Sequence, residues 1–128
     1  MSTTPDQILD VADRLFAAIA GGDVEAVTAL WSDDVTVWHT GDERDNDKTR
    51  ALKVIRWYVN ATTYRHYEVL DRQVFDGGFV QQHILHSTNL RGEDVNLRVC
   101  LVVKIGDAGL ITRIDEYLDP AELAPLLS

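Results

Sequence analysis

Two hydrophobic rhythms divide this chain. From Ile8 the apolar residues return at Ala12, Leu15 and Ile19, the spacing of one helix face. Thr4-Pro5-Asp6-Gln7 ahead of them is a start signal, with Thr4 as N-cap, Pro5 at the first helical position and Gln7 closing a capping box. Gly21-Gly22 supplies the stop. Asp23 then caps a shorter helix, Val24 to about Leu30, with Val27 and Leu30 inward. After Ser32-Asp33-Asp34 the period changes to two: Val35, Val37 and His39 share one face of a strand, and Thr36, Trp38 and Thr40 the other. A polar stretch from Gly41 to Lys48 reads as a loop, and a third helix follows from near Thr49 to Val59, with Leu52, Ile55 and Val59 apolar at helical spacing.

The second half is β-rich. Tyr64 to Phe75 and Phe79 to Leu90 read as long strands turned at Asp76-Gly77-Gly78. Beyond the turn at Arg91-Gly92-Glu93, Val95, Leu97, Val99, Leu101 and Val103 alternate with Asn96, Arg98 and Lys104. Gly106 to Gly109 makes the last tight turn before a strand from Leu110 to Leu118, and Asp119-Pro120 starts a short helix carrying Leu123, Leu126 and Leu127. The order predicts one α+β domain over residues 1–128, with three N-terminal helices on one face of a curved antiparallel sheet.

The last strand carries the first chemical signal. Strict alternation places Leu110, Thr112, Ile114, Glu116 and Leu118 on one face, and Ile111, Arg113, Asp115 and Tyr117 on the other. The first set reads as core and contains a carboxylate. A buried carboxylate must find a partner, take up a proton, or line a wet or ligand-filled hollow. His39 stands in the same situation with Val35 and Val37.

Composition narrows the field. A formal net charge of −9 with scattered Arg and Lys argues against nucleic-acid binding. Cys100 is the single cysteine, so no intrachain disulfide or thiolate metal cage is expected. His83 and His86 fall on opposite faces of a strand and do not form a metal pair. The acidic segment Asp42 to Asp47 lacks the ligand order of a calcium loop and reads as a solvated loop. No run approaches the roughly 18 apolar residues of a membrane span, and Met1 to Asp6 show no basic-then-apolar leader. A soluble cytoplasmic protein is the expectation.

The element order, with Gly22-Asp23-Val-Glu-Ala-Val, Leu30-Trp-Ser-Asp-Asp-Val-Thr-Val37 and Gly109-Leu-Ile-Thr-Arg-Ile-Asp-Glu-Tyr-Leu-Asp119, resembles the SnoaL-like branch of the nuclear transport factor two-like superfamily. The resemblance spans nearly the whole chain. It implies a cone-shaped α+β barrel whose curved sheet wraps the helices around a deep apolar pocket. Homodimers are common in that group, and the convex sheet face with Tyr117, Arg113 and Arg98 is where one is expected. Its members include ketosteroid isomerases, limonene-epoxide hydrolases, polyketide cyclases, dehydratases and non-catalytic binding modules, so fold alone assigns no reaction.

Carried over by position, the isomerase general base falls on His39, but its two oxyanion donors fall on Leu15 and Leu101, which have no proton to donate. The hydrolase pattern matches better at the end of the chain, where Glu116-Tyr-Leu-Asp119 puts Glu116 at one catalytic aspartate. The second aspartate falls close to His86, and the linking arginine near Ile84 is missing. Both faces of Phe79 to Leu90 mix polar and apolar residues, so alternation leaves His83 and His86 open, and the resemblance selects His86. Glu116, His39 and His86 are therefore the candidate acid–base residues. Phe16, Trp57, Tyr58, Ile84, Leu101 and Leu118 are the expected pocket walls, with Trp31 and Trp38 nearby.

Two functions follow as expectations. One is a small enzyme of isomerase, hydrolase, dehydratase or cyclase type, acting on an apolar oxygenated small molecule without metal or organic cofactor. The other is a binding or dimeric structural module. The enzyme needs Glu116 and His39 at one hollow; a packed module would engage Glu116 with Arg98 or Arg113 and leave no cavity of roughly 300 Å³ or more.

Overall fold

Thr4 sets the first helix as its spacing predicts: its hydroxyl accepts from the Gln7 amide at 3.2 Å, and the Gln7 side chain accepts from the Thr4 amide at 2.8 Å. The computed structural model describes residues 3–127; Met1 and Ser2, part of the segment read for a leader, and Ser128 lie outside it. Helix α1 (Pro5–Ala20) buries Ile8, Val11, Ala12, Leu15, Phe16 and Ile19 along one stripe. Apart from Ala12, each of these side chains contributes roughly 1.5–3 kcal/mol when fully buried. Helix α2 (Val24–Leu30) starts at Asp23, whose carboxylate accepts from the Ala26 amide. Helix α3 (Lys48–Ala61) starts at Asp47, which accepts from the Arg50 amide.

Strand β1 (Trp31–His39) lies between α2 and α3, and four strands follow α3: β2 (Thr62–Phe75), β3 (Gly78–Asn89), β4 (Asp94–Ile105) and β5 (Ile111–Leu118). Their spatial order is β1-β5-β4-β3-β2. The expected sheet was antiparallel throughout; the observed sheet is mixed, because β1 pairs parallel with β5 while the other pairs are antiparallel. It is also an open sheet, with β1 and β2 as its edges. Strand β1 begins at Trp31, before the expected start, because Trp31 already pairs with Ile111.

The sheet's inner face is the odd-numbered row of β3 and β4: Phe79, Leu85, Val95, Leu97, Val99, Leu101 and Val103 are all buried. On β5 the face assignment needs a correction at one end. Lys104 pairs with Arg113 and Ile105 with Ile111, so a bulge at Thr112 interrupts the alternation. Ile111 is thereby fully buried, and Leu110 lies ahead of the strand.

Arg65 fastens the helices to the sheet. Its Nε donates to the carbonyls of Ile19 and Ala20 at the end of α1, and an Nη donates to Val59 and Thr62 at the end of α3. A cation suits the carbonyl end of two helices. Gly22, at φ +72°, lets the chain turn beside it: a Cβ there would meet the Arg65 guanidinium at 3.1 Å. The chain ends in a 3-10 turn (Pro120–Leu123) and a one-turn helix α4 (Ala124–Leu127) that buries Leu126. No helix among the described residues is long and apolar enough to cross a membrane.

Candidate active site

A cavity of about 110 Å³ lies between the inner sheet face and helices α1 and α3. Its walls are mostly apolar and its polar groups few. Leu15, Phe16 and Ile19 come from α1, and Ala51, Val54, Ile55 and Tyr58 from successive turns of α3. The sheet adds Val37, His39, Tyr67, His83, Leu101, Ile114 and Glu116, with Trp31 and Leu85.

Glu116 reaches this cavity because the alternation of β5 from Ile114 onward holds. It is flanked on one side by Leu101, its partner on β4, and on the other by His39, its partner on β1. The Thr40 amide donates to the Glu116 carbonyl at 3.0 Å, extending the β1–β5 pairing to the end of both strands. The Glu116 side chain makes no hydrogen bond among the described residues. Arg113 is committed elsewhere, to Asp45 and Asp115, and Arg98 is exposed on the outer face. Burial pushes the Glu116 carboxyl above its ordinary range, and the nearby His39 opposes that shift.

His39 is held by its own loop. Its Nδ1 meets the Thr40 carbonyl at 3.2 Å and its Nε2 the Asp42 carboxylate at 3.2 Å. Asp42 is fixed in turn by the Asn46 side chain at 2.6 Å, and Asn46 pairs backbone to backbone with Val37. The acidic segment is therefore folded back on β1. Asp45 binds Arg113 and Asp47 caps α3, which leaves their carboxylates occupied.

His86 and Ile84 do not enter the cavity, which corrects their expected place. Both lie on the outer face of β3, where the Nε2 of His86 meets Glu68 at 2.8 Å and its Nδ1 meets Asn96 at 2.9 Å. The odd row of β3 faces inward, so His83 takes the interior position. Trp57 is also displaced from its expected role. Ala51, Val54, Ile55 and Tyr58 occupy the cavity stripe of α3, and Trp57, roughly 100° off that stripe, is 38% exposed. Leu118 packs against the core beyond the cavity, opposite Val99. Phe16, Tyr58 and Leu101 do line it.

Sequence reasoning missed Tyr67 and His83. Burial drives the Tyr67 phenol well above its ordinary range and the Tyr58 phenol up more modestly; the Glu116 charge adds to both. The Tyr58 hydroxyl shares a short hydrogen bond with Ser87. Burial and the Arg72 charge push His83 down to about 4. The signal for His83 was present in β4, whose alternation is unambiguous. Every β3–β4 pair joins odd to odd or even to even, so the inward row of β4 selects the odd row of β3. Among the described residues, the Trp31 indole nitrogen is the one side-chain polar atom that is both cut off from all accessible space and without a partner, and Trp31 also walls the cavity.

An open mixed sheet folded over three helices around an apolar hollow with an inward carboxylate defines a small curved-sheet pocket protein. The model of the SnoaL-like domain matches residues 12–114, and the chain belongs to this family, within the nuclear transport factor two-like superfamily. No curated protein matches the chain. Among solved structures it is similar to PrhC from Penicillium brasilianum, with a TM-score of 0.85 at 15% identity over 98% of this chain and 88% of that one. An LEH-like epoxide hydrolase from M. tuberculosis superposes with a TM-score of 0.76 at 17% identity, covering 95% and 90%. The epoxide hydrolase/cyclase-like enzyme SalBIII superposes with a TM-score of 0.78 at 14% identity, covering 91% and 94%. Identities this low establish the shared fold alone.

Proposed function

We propose that the cavity is the active site of a small enzyme that performs general acid–base chemistry on a compact, largely apolar, oxygen-bearing molecule. Glu116 is the principal acid–base group and His39 its electrostatic partner. The observation that carries this reading is the Glu116 carboxylate, which lines an apolar cavity without a hydrogen-bond partner among the described residues. A purely structural carboxylate in that place calls for a fixed cation, and the two arginines expected to supply one are turned away. Raising a carboxyl toward neutral pH is how such a group becomes an efficient proton acceptor and donor, worth roughly 10²–10⁴-fold in rate. The hydrolase and cyclase names carried by the structural neighbours accord with this class of chemistry and select no substrate.

The volume favours a second reading. About 110 Å³ is below the roughly 300 Å³ at which drug-sized sites begin, and closer to the cavity of about 150 Å³ that admits benzene. A module packed nearly shut fits that number. Thermal-shift screening against compact ketones, enones and epoxides separates the two, since a bound ligand raises the melting temperature by mass action. Any hit is then tested for turnover with the wild type and Glu116→Gln. Turnover lost in the variant supports the enzyme; equal turnover removes Glu116 from the chemistry, and no stabilisation by any compound, or binding without turnover, supports the module.

A second copy of the chain is the partner proposed for the outer sheet face. There Val80, Ile84, Cys100 and Val102 are half-buried and Tyr117 is 49% exposed. Sedimentation equilibrium tests it: a mass of one chain at micromolar concentration rules it out.

A further inference from the structure

We propose that His83 is a neutral hydrogen-bond donor for the carbonyl oxygen of a compact uncharged ligand, with Gln81, Arg72 and Asp13 as the positioning residues that hold it in that form. This rests on the acid–base reading of the cavity and names the ligand class for it.

The proton on His83 is placed by a chain of groups with fixed roles. An arginine can only donate. Arg72 Nε stands 2.7 Å from Gln81 Oε1, so the amide of Gln81 must present its oxygen to Arg72. The other end of that amide is its NH₂ group, 2.9 Å from His83 Nδ1. An NH₂ group also only donates, so Nδ1 accepts with its lone pair, and the single proton of the neutral ring sits on Nε2. Turning the Gln81 amide over would set two donors against each other at Arg72. Gln81 is fully buried, so no solvent relieves such a clash.

Both ends of this chain are anchored. Asp13 on α1 accepts from Arg72 at 2.8 Å, and the guanidinium lies 5.8 Å from the Phe16 ring centre and 6.0 Å from that of Phe79. The His83 ring is held edge to face between Phe16, at 5.5 Å, and Tyr67, at 4.9 Å. Burial and the adjoining Arg72 cation keep it uncharged, for it is 1% exposed; the other titratable groups that face it are Tyr67 on β2, in ring contact, and Glu116, which lines the same cavity. Nε2 itself has no protein partner among the described residues, and the ring forms part of the cavity wall.

The wall chemistry selects the ligand. His83 Nε2–H and the phenol of Tyr67 both offer protons, while Glu116 is the acceptor. A neutral molecule with an acceptor oxygen at the donors and an acidic hydrogen or a water toward Glu116 meets both walls. A carboxylate or phosphate would sit unpaired beside Glu116, with Arg72 turned away and occupied. A donor fixed before the ligand arrives stabilises charge developing on that oxygen without reorganising.

Imidazole nitrogen spectra of ¹⁵N-labelled protein test the first half. At neutral pH His83 is expected with a bare Nδ1 and a protonated Nε2. Gln81→Glu puts an acceptor at Nδ1, so this nitrogen should become protonated. A protonated Nδ1 in the wild type overturns the proposal, whatever the fate of the variant. The second half uses cyclopentenone as probe. Its bound carbonyl stretch should shift to lower frequency in the wild type and return toward the solution value in His83→Phe, with binding retained. Glu116→Gln should keep both signatures while losing turnover, which separates failure of the donor from failure of the base. A probe that does not bind, or one whose carbonyl is unshifted, overturns the donor role.

Discussion

His83 and His86 stand on the same strand, three residues apart, and meet opposite environments. His83 faces a cavity, is 1% exposed and is pushed down to about 4 by burial and by Arg72. His86 faces outward, and the Glu68 carboxylate and the Asn96 oxygen hold its pKa above the ordinary value. One ring is neutral because water is excluded and a cation is near; the other holds a proton more readily than a free imidazole because acceptors adjoin it in solvent. Residue type sets what a histidine can do, and the strand face sets what it does. The same division separates Glu116, unpaired on the inner face, from Asp115, bound to Arg113 on the outer one.

That contrast breaks first at Glu116 if it is wrong. Once a substrate is in hand, Glu116→Gln should lower turnover by roughly 10²–10⁴-fold. The same variant has a stability signature that needs no substrate. The folded carboxyl titrates above its unfolded value, so wild-type stability falls as pH rises from the ordinary carboxyl range through the folded pKa. Glu116→Gln should then be more stable than the wild type under alkaline conditions and equal to it in acid; melting curves across pH read this directly.

Leu101→Asp places a second carboxylate opposite Glu116 at a position that is 6% exposed. The expected loss is about 3–5 kcal/mol, read from the urea midpoint, because a buried charge without a partner is costly. An unchanged midpoint would show the inner face to be wetter than its burial indicates.

The third expectation concerns His83 in acid. Its folded pKa of about 4 lies below the ordinary 6.5, so the unfolded chain takes up this proton first. The contribution is fully present above about 6.5 and is lost as pH falls to about 4, for a total near 3 kcal/mol. Comparing wild type with His83→Gln over that window isolates it from the surface carboxylates; parallel curves would remove His83 from the interior. The smallest effect is expected at the other histidine. His86→Gln should change stability by less than about 0.5 kcal/mol, since its pair with Glu68 is solvent-exposed. A larger change by chemical denaturation would point to a covered outer face.

Much of this molecule could be read along the chain. The Thr4 capping box, the Asp23 cap, the period of the helices and the five strands follow from local rules, and each occurs within a few residues of its expected place. Glu116 and His39 were legible because a charged or polar side chain interrupts an otherwise apolar face. His83 was harder, since β3 is polar and apolar on both faces. Arg72 was out of reach of alternation altogether: the register of β2 slips between Val69 and Asp71, and that slip turns Arg72 inward to Gln81.

The sequence by itself determined which segments are helix or strand and that an acid would stand among apolar neighbours, because those depend on periods of a few residues. Only the tertiary structure decided the parallel joining of β1 to β5, the bulges that exchange faces, and the Asp13–Arg72–Gln81–His83 chain. Those features join residues far apart in the sequence, where strand register and side-chain packing, rather than local preference, carry the free energy.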